Sequence, residues 1–414
     1  MGDGLLDTLK ERFGHEAFKG EQRAIVERVM AGRSTLAVMP TGGGKSLTYQ
    51  LPAVMMEGVC VVISPLIALM QDQLRSARGF GLRAASLTSA DEDRGRTLAR
   101  LGRGELDLLY VAPERAVSEA FGEALRGVRV CLFAIDEAHC VSKWGHDFRP
   151  DYRGLGPLLA AHDAPVLALT ATADAHTRAD ILEHFGIGAD GLVLSGFDRP
   201  NIHYALRRRG DVVAQLRGVL AEQAGAGIIY CRTRAEVERI ADALGDGGRR
   251  VMPYHAGLTA EQRARHQERF FAARHAVMVA TIAFGMGVDK ADVRFVVHVG
   301  LPRSVEAYYQ ETGRAGRDGA AALALMLYGA KDVAKGRHRL AGVAPERAEA
   351  ETARWRAMAR LVQTWGCRRA ELLRYFGDRA PLACGNCDHC RRARWAVAGV
   401  EIAKRVGRML TRGG

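Results

Sequence analysis

No stretch of the sequence reaches the ~18 consecutive apolar residues that a membrane-spanning helix needs. The opening segment, MGDGLLDTLKERFG, has no apolar signal core and carries acids early. Leu6 stands where a myristoylation signal places Ser or Thr. The cytoplasm is therefore the expected compartment, with no membrane partner. Cysteine is sparse and uneven: Cys60, Cys131, Cys140 and Cys231 stand singly, while Cys367, Cys384, Cys387 and Cys390 crowd near the end. That distribution is not a disulfide framework for a large cytoplasmic chain. Aromatic residues make up only 7% of the chain, so any cluster of them stands out. Acids are outnumbered, with 47 Asp and Glu against 59 Lys and Arg, for a net charge of +12. Such an excess favours a polyanionic partner. The abundance of Arg, Ala and Gly also fits the codon bias of a GC-rich genome, so charge alone leaves both readings open.

What is present is an alternating rhythm. The chain has 414 residues, beyond the ~250–300 at which a single core stops growing, so two or three domains are expected. STLAVM, VCVVISP, LDLLYVAP, VCLFAIDE and VLALTAT read as buried parallel strands. Helical stretches such as YQLPAVMM and LIALMQDQLRSA separate them. The rhythm pauses around SGFDRPNIHYALRRRG and restarts with AGIIYC, RVMPYHA, AVMVAT, VRFVVHVG and AALALMLY. This predicts an α/β fold of two tandem doubly wound parallel-sheet domains, 1–197 and 198–338. A helical module over 339–393 follows, then a basic tail over 394–414. In the module, Trp355, Met358, Leu361, Val362 and Trp365 fall at helical spacing and read as one packed stripe.

The chemistry concentrates at strand ends. MPTGGGKS follows the strand STLAV. Thr41, Gly42, Gly43 and Gly44 form a tight turn whose N–H groups suit phosphate oxygens. Lys45 supplies a point charge for the β- and γ-phosphates, and Ser46 a hydroxyl ligand for Mg²⁺. Met39 departs from the strict pattern, which wants Gly there. The strand LFAI ends in Asp136 and Glu137, at the sheet edge where ligands of open α/β sheets bind. Asp136 is placed in the Mg²⁺ shell, and Glu137 orients and deprotonates the attacking water. Arg314 and Arg317, three residues apart in QETGRAGRDG, share one face if helical and offer charge to the leaving phosphates.

Two further clusters complete the inventory. WGHDFRPDY, Trp144 to Tyr152, packs three aromatics among charged residues just after DEAHC. Trp144 and Phe148 offer faces for base stacking, and Arg149 a contact for phosphate. Cys367 with Cys384, Cys387 and Cys390 makes a C-x16-C-x2-C-x2-C set suited to one tetrahedral Zn²⁺, with an iron–sulfur cluster as the competing reading.

In their order, FKGEQ, MPTGGGKS, ISPLIALMQDQ, IDEAHC, WGHDFRPDY, ALTATA, IIYCRTR, VATIAFGMGVDK and QETGRAGRDG resemble the RecQ-type DNA helicases of superfamily 2, from about residue 10 to 392. WGHDFRPDY and AFGMGVDK discriminate most, because generic members share only the phosphate loop and DEAH. The resemblance implies two RecA-like lobes, ATP and Mg²⁺ as cofactors, and a zinc module around the cysteines. It implies that Gln22 reads the adenine edge, with His15 and Lys19 beside the base, although relatives favour Tyr and Arg at those two positions. It places Ser64, Trp144, His146, Phe148, Arg149, Arg232 and Thr281 at the DNA. Thr170 and Thr172 would couple hydrolysis to domain movement.

The implied activity is ATP-dependent 3′–5′ translocation on single-stranded DNA and unwinding of partly duplex DNA in recombination and repair. The implied actor is a nucleoid-associated bacterial monomer, with single-strand-binding protein a candidate partner. Only 24 residues follow Cys390, where most bacterial relatives continue with a winged helix. The resemblance therefore points either to a natural short form or to a piece of a longer chain, and leaves open a DNA-stimulated ATPase that barely unwinds. The segment from Arg391 onward carries seven basic residues and one acid, and reads either as a short helix or as a solvated, frayed end that could partly substitute for the winged helix.

Overall fold

A computed structural model describes residues 3–392, apart from 66, 89–92, 143–146, 246, 286–289, 330, 333, 335–341 and 344. The chain divides into two compact units, the first running to Phe197 and the second beginning at Asp198.

The first unit is built on seven strands: β1 Thr35–Val38, β2 Val59–Ile63, β3 Ala84–Leu87, β4 Leu108–Val111, β5 Val130–Ile135, β6 Val166–Thr170 and β7 Leu192–Leu194. Their order is β3-β4-β2-β5-β6-β1-β7, and the paired strands run parallel. Every residue of β1, β2, β4, β5 and β6 is buried. Helices cover both faces of such a sheet, so its inner strands are apolar throughout rather than alternating.

Register sets the geometry of the edge where the chemistry lies. Val38 pairs with Thr170, Ile135 with Ala168 and Ile63 with Ile135. The ladder continues one step further, with Met39 N donating to Thr170 O at 2.9 Å and Asp136 N to Ile63 O at 2.8 Å. The phosphate loop after β1, the acids after β5, Thr170 and Ser64 thus share one row at the carboxyl ends of adjacent strands.

The second unit has six strands: β8 Ile202–Arg208, β9 Ala226–Tyr230, β10 Val251–Tyr254, β11 Val277–Ala280, β12 Val293–Val299 and β13 Ala322–Tyr328. They lie in the order β10-β11-β9-β12-β13-β8, again parallel. β8 corrects the sequence reading. It falls in the segment where the strand rhythm of the sequence pauses, yet pairs with β13 over seven residues, from Ile202 with Ala322 to Arg208 with Tyr328. β3 and β7 were likewise not anticipated. All three are edge strands, with one flank unpaired by sheet, so their sequences carry weaker apolar signals.

The helical module also departs from expectation. Helix Pro345–Gln363 ends before Trp365, which is 93% exposed, while Met358, Leu361 and Val362 are buried. The expected stripe is therefore shorter. Arg368 Nη1 donates to Leu361 O (2.8 Å), Val362 O (3.1 Å) and Thr364 O (3.1 Å), satisfying carbonyls that the terminating helix leaves open. A second helix, Arg368–Tyr375, follows.

The module seats on the free edge of β8. Arg369 Nη2 donates to Pro200 O and Ile202 O, both at 3.0 Å. Asn386 Nδ2 reaches the same two carbonyls at 3.1 and 3.3 Å. Leu206 N donates to Asp388 Oδ2 at 3.1 Å, and Asp388 pairs with buried Arg368 at 3.2 Å. An open sheet edge is thereby covered rather than left to template pairing.

Candidate active site

The loop between β1 and helix Leu47–Met55 needs its glycines. Gly42 and Gly44 hold φ of +84° and +72°, which side chains rarely adopt. A Cβ on Gly43 would stand 2.9 Å from Pro40 O, and one on Gly44 would collide with the Gln22 amide. Lys45 Nζ lies 3.4 Å from Met39 O, folded back along its own loop. Thr41 is half-buried beside it.

Gln22 is buried and takes part in the loop. Its Nε2 donates to Gly43 O and Gly44 O, both at 3.1 Å, and its Oε1 accepts from Lys19 N at 2.8 Å. The structure thus brings Gln22 and the Lys19 backbone to the phosphate loop. The side chains of Lys19 and His15 are exposed.

Asp136 is 4% exposed, and its Oδ1 accepts from Glu137 N at 3.0 Å. Burial first, then the charge of Glu137, push its pKa up to about 6, with Lys45 opposing. Such a carboxylate favours a cation beside it. With the Ser46 hydroxyl it offers hard oxygen ligands that suit Mg²⁺.

Glu137 is the one non-glycine residue with positive φ among the described residues, at φ +49° and ψ +43°. A left-handed conformation costs a side chain about 1–2 kcal/mol, and strain of this kind gathers at functional sites. The turn aims Glu137 Oε2 at His139 Nδ1, 3.3 Å away. That nitrogen is also 3.0 Å from Thr170 Oγ1. Thr170 Oγ1 lies 3.0 Å from Thr172 O and accepts from Thr172 N at 3.2 Å. A continuous polar chain therefore joins the acid after β5 to the turn after β6.

Other expected residues fall as follows. Ser64, placed at the DNA by resemblance, is fully buried, and its hydroxyl lies 3.4 Å from Asp136 Oδ2. Trp144 and His146 lie outside the described residues. Phe148 and Arg149 are half-buried. Arg149 N donates to Cys140 O at 2.9 Å and its Nη1 to Pro65 O at 3.3 Å, folding the loop back onto the DEAH turn. Three residues gained no role from sequence reasoning. Gln73 Nε2 lies 3.5 Å from Ser46 Oγ, Tyr152 OH donates to Asp136 O at 2.8 Å, and His139 carries the polar chain. All three stand inside the recognisable motifs, so the signal was present without the contact that explains it.

In the second unit, Arg314 and Arg317 lie in turns after helix Val305–Thr312 rather than on one helical face. Gly313 and the positive φ of Gly316 end the helix. Arg314 is buried, and its Nε has no hydrogen-bond partner among the described residues. Arg199 braces this segment by donating to Gly313 O (3.1 Å), Ala315 O (2.8 Å) and Gly316 O (2.9 Å). Arg232 Nη1 is 3.5 Å from Asp332 Oδ1, and Thr281 N donates to Tyr254 O at 3.1 Å.

The four cysteines come together. Their sulfurs lie within 4.8 Å of one another, with Cys384 to Cys390 and Cys367 to Cys387 at 4.0 Å. Zinc–thiolate bonds of about 2.3 Å in a tetrahedron separate sulfurs by roughly 3.8 Å, so the set is nearly closed. Backbone N–H groups of Ala370, Asn386, Cys387 and Cys390 point at these sulfurs at 3.3–3.5 Å, which favours thiolates.

Comparison with known proteins agrees with this geometry. Residues 19–181 match the DEAD/DEAH box helicase family, 211–319 the helicase conserved C-terminal domain and 330–391 the RecQ zinc-binding family. The chain is 44% identical over 391 residues to the ATP-dependent DNA helicase RecQ of Pasteurella multocida, covering 93% of this chain and 62% of that protein. Against the Bacillus subtilis protein of the same name, identity is 40% over 395 residues, covering 94% of this chain and 67% of that one. The chain thus spans about three fifths to two thirds of the length of these relatives. Among solved structures, the DUF1998 helicase MrfA bound to DNA superposes with a TM-score of 0.67 at 18% identity, covering 81% of this chain and 50% of that one. Saccharomyces cerevisiae Dbp5 bound to RNA and ADP BeF3 gives 0.61 at 14%, covering 88% and 98%. These likenesses show the two-sheet fold. No helix among the described residues is long and apolar enough to cross a membrane.

Proposed function

Because the chain belongs to the RecQ family of helicases, we propose that it is an ATP-driven motor that tracks single-stranded DNA 3′ to 5′ and separates partly duplex DNA in recombination and repair. The observation that carries this reading is the chain from Glu137 through His139 to Thr170 and Thr172. It ties the hydrolytic acid to a neighbouring strand end through contacts of 3.0–3.3 Å.

In this reading the phosphate loop and Lys45 hold the β- and γ-phosphates. Ser46 and Asp136 would hold Mg²⁺, which supplies charge neutralisation on the phosphate oxygens when bound. Glu137 takes the proton of the attacking water as its oxygen bonds to the γ-phosphorus and the bond to the bridging oxygen breaks. Arg314 and Arg317 supply positive charge to the departing phosphates. Gln22 exchanges its bonds to Gly43 O and Gly44 O for the adenine edge, so that base recognition is felt by the loop. Trp144, His146, Phe148, Arg149, Arg232 and Thr281 form the DNA-facing set, Ser64 instead faces Asp136 through its buried hydroxyl, and the four cysteines hold Zn²⁺.

The test is strand separation on duplexes with a 3′ or a 5′ single-stranded tail. The 3′-tailed duplex should open in an ATP-dependent manner, the 5′-tailed one should not, and Lys45→Ala should open neither. Preference for the 5′ tail would refute the direction. DNA-stimulated turnover without strand separation would reduce the reading to a translocase.

A further inference from the structure

Beyond the four-cysteine centre, the described residues hold one other group of metal-ligand type: His139, Cys140 and Asp147, with one ligand atom from each within 4.8 Å of the others. We propose that this triad is a second, regulatory Zn²⁺ site that joins the DEAH turn to the aromatic-rich loop.

Cys140 Sγ is the hub. It lies 4.0 Å from His139 Nε2 and 3.9 Å from Asp147 Oδ2. Tetrahedral zinc, with bonds of about 2.3 Å to sulfur and 2.0 Å to nitrogen or oxygen, brings such atoms to roughly 3.5 Å. Inward shifts of about 0.5 Å at Cys140, and of at most about 1.5 Å between His139 and Asp147, which lie within 4.8 Å of each other, close the site. His139 and Cys140 are buried at 2% and 0% exposure, and Asp147 is partly open at 31% of its side chain. The fourth position is left to water, which the partly open side of Asp147 would admit. One thiolate and one imidazole select Zn²⁺ over the hard ion expected at Asp136.

The surroundings match a zinc ligand set beyond the first contacts. A metal-bound imidazole usually gives its other ring nitrogen to a carboxylate or hydroxyl. Here Nε2 faces the thiol, while Nδ1 lies 3.3 Å from Glu137 Oε2 and 3.0 Å from Thr170 Oγ1. The loop is also shaped for it, because Arg149 N donates to Cys140 O at 2.9 Å and brings Asp147 back over the turn.

Two consequences follow from binding. The thiol proton is released to solvent. Asp147 Oδ2, which lies 3.6 Å from Arg149 Nη2, is drawn to the metal, and Arg149 loses that partner. With the metal on Nε2 the ring is held in its Nδ1–H tautomer, so the 3.3 Å contact with Glu137 Oε2, which the metal-free ring can release, is kept when the carboxylate should accept a proton from water. Zinc therefore inhibits turnover. This inhibitory consequence rests on Glu137 acting as the base; the metal site itself does not.

The test uses the full chain with its four-cysteine centre filled, titrated with Zn²⁺ against a chromophoric chelator. The wild type should bind a second equivalent, and Cys140→Ser and Asp147→Asn should each bind one. Asp147→Asn changes a partly exposed side chain, so it keeps the test sound if Cys140→Ser folds poorly. Co²⁺ in the second site should show a sulfur-to-metal charge-transfer band that Cys140→Ser lacks. Saturation of the wild type at one equivalent, or retention of two by both variants, would overturn the site. These arms read no activity, so they stand or fall apart from the helicase reading. In turnover assays, Zn²⁺ should lower the wild-type rate and leave that of Cys140→Ser at its own zinc-poor value. Equal inhibition of both would overturn the regulatory role.

Discussion

Gly316 sits between the two arginines of the second unit at φ +58°, and a Cβ there would run into the Asn201 amide. Asn201 Nδ2 in turn donates to Gly316 O at 2.8 Å and Ala320 O at 2.9 Å. Gly316→Ala should therefore destabilise the second unit by about 1–2 kcal/mol from the left-handed backbone alone, and displace Arg317. The expected outcome is a lower thermal midpoint together with loss of ATP turnover; unchanged stability would show that the turn relaxes without strain. At this scale the sequence was legible for residue type and silent on contact. Lys45, Asp136, Glu137 and the cysteines announce their chemistry by spacing. Ser64 does not announce that its hydroxyl faces Asp136, nor Thr170 that it meets His139. Those contacts come from the register of β1, β2, β5 and β6, which no local pattern encodes.

Among elements, the strands that the sequence concealed share a position. β3, β7 and β8 are all sheet edges. Inner strands such as VCLFAI are buried at every residue and cannot be mistaken, whereas β8 ends in two exposed arginines. Trp355 to Trp365 misled in the other direction, because helical spacing persists in sequence after the helix has stopped at Gln363. β8 depends on the cysteine module for partners along its outer side, through Arg369, Asn386 and Asp388. Metal binding by such a module is coupled to its folding. Stripping zinc, or substituting Cys384→Ser, should thus expose the β8 amides. Hydrogen exchange at Leu206 should accelerate while β1 in the first unit keeps its protection. Unchanged exchange at Leu206 would mean that the module folds without metal.

Across the whole molecule, the excess of 12 positive charges sets the terms of binding to a polyanion. Affinity for single-stranded DNA should fall with salt, on the order of tenfold between roughly 50 and 200 mM for about three phosphates neutralised. A flat dependence would argue against backbone contacts as the main source of affinity. The proposed motor demands more than binding, however. On that reading, DNA held at the loop around Phe148 and Arg149 is felt at Glu137 through the DEAH turn, where Arg149 N donates to Cys140 O. The most direct test is the steady-state rate of ATP hydrolysis at saturating ATP and Mg²⁺, with and without single-stranded DNA. A rate that rises severalfold when the strand is added is the outcome expected here; equal rates in its presence and absence would contradict it.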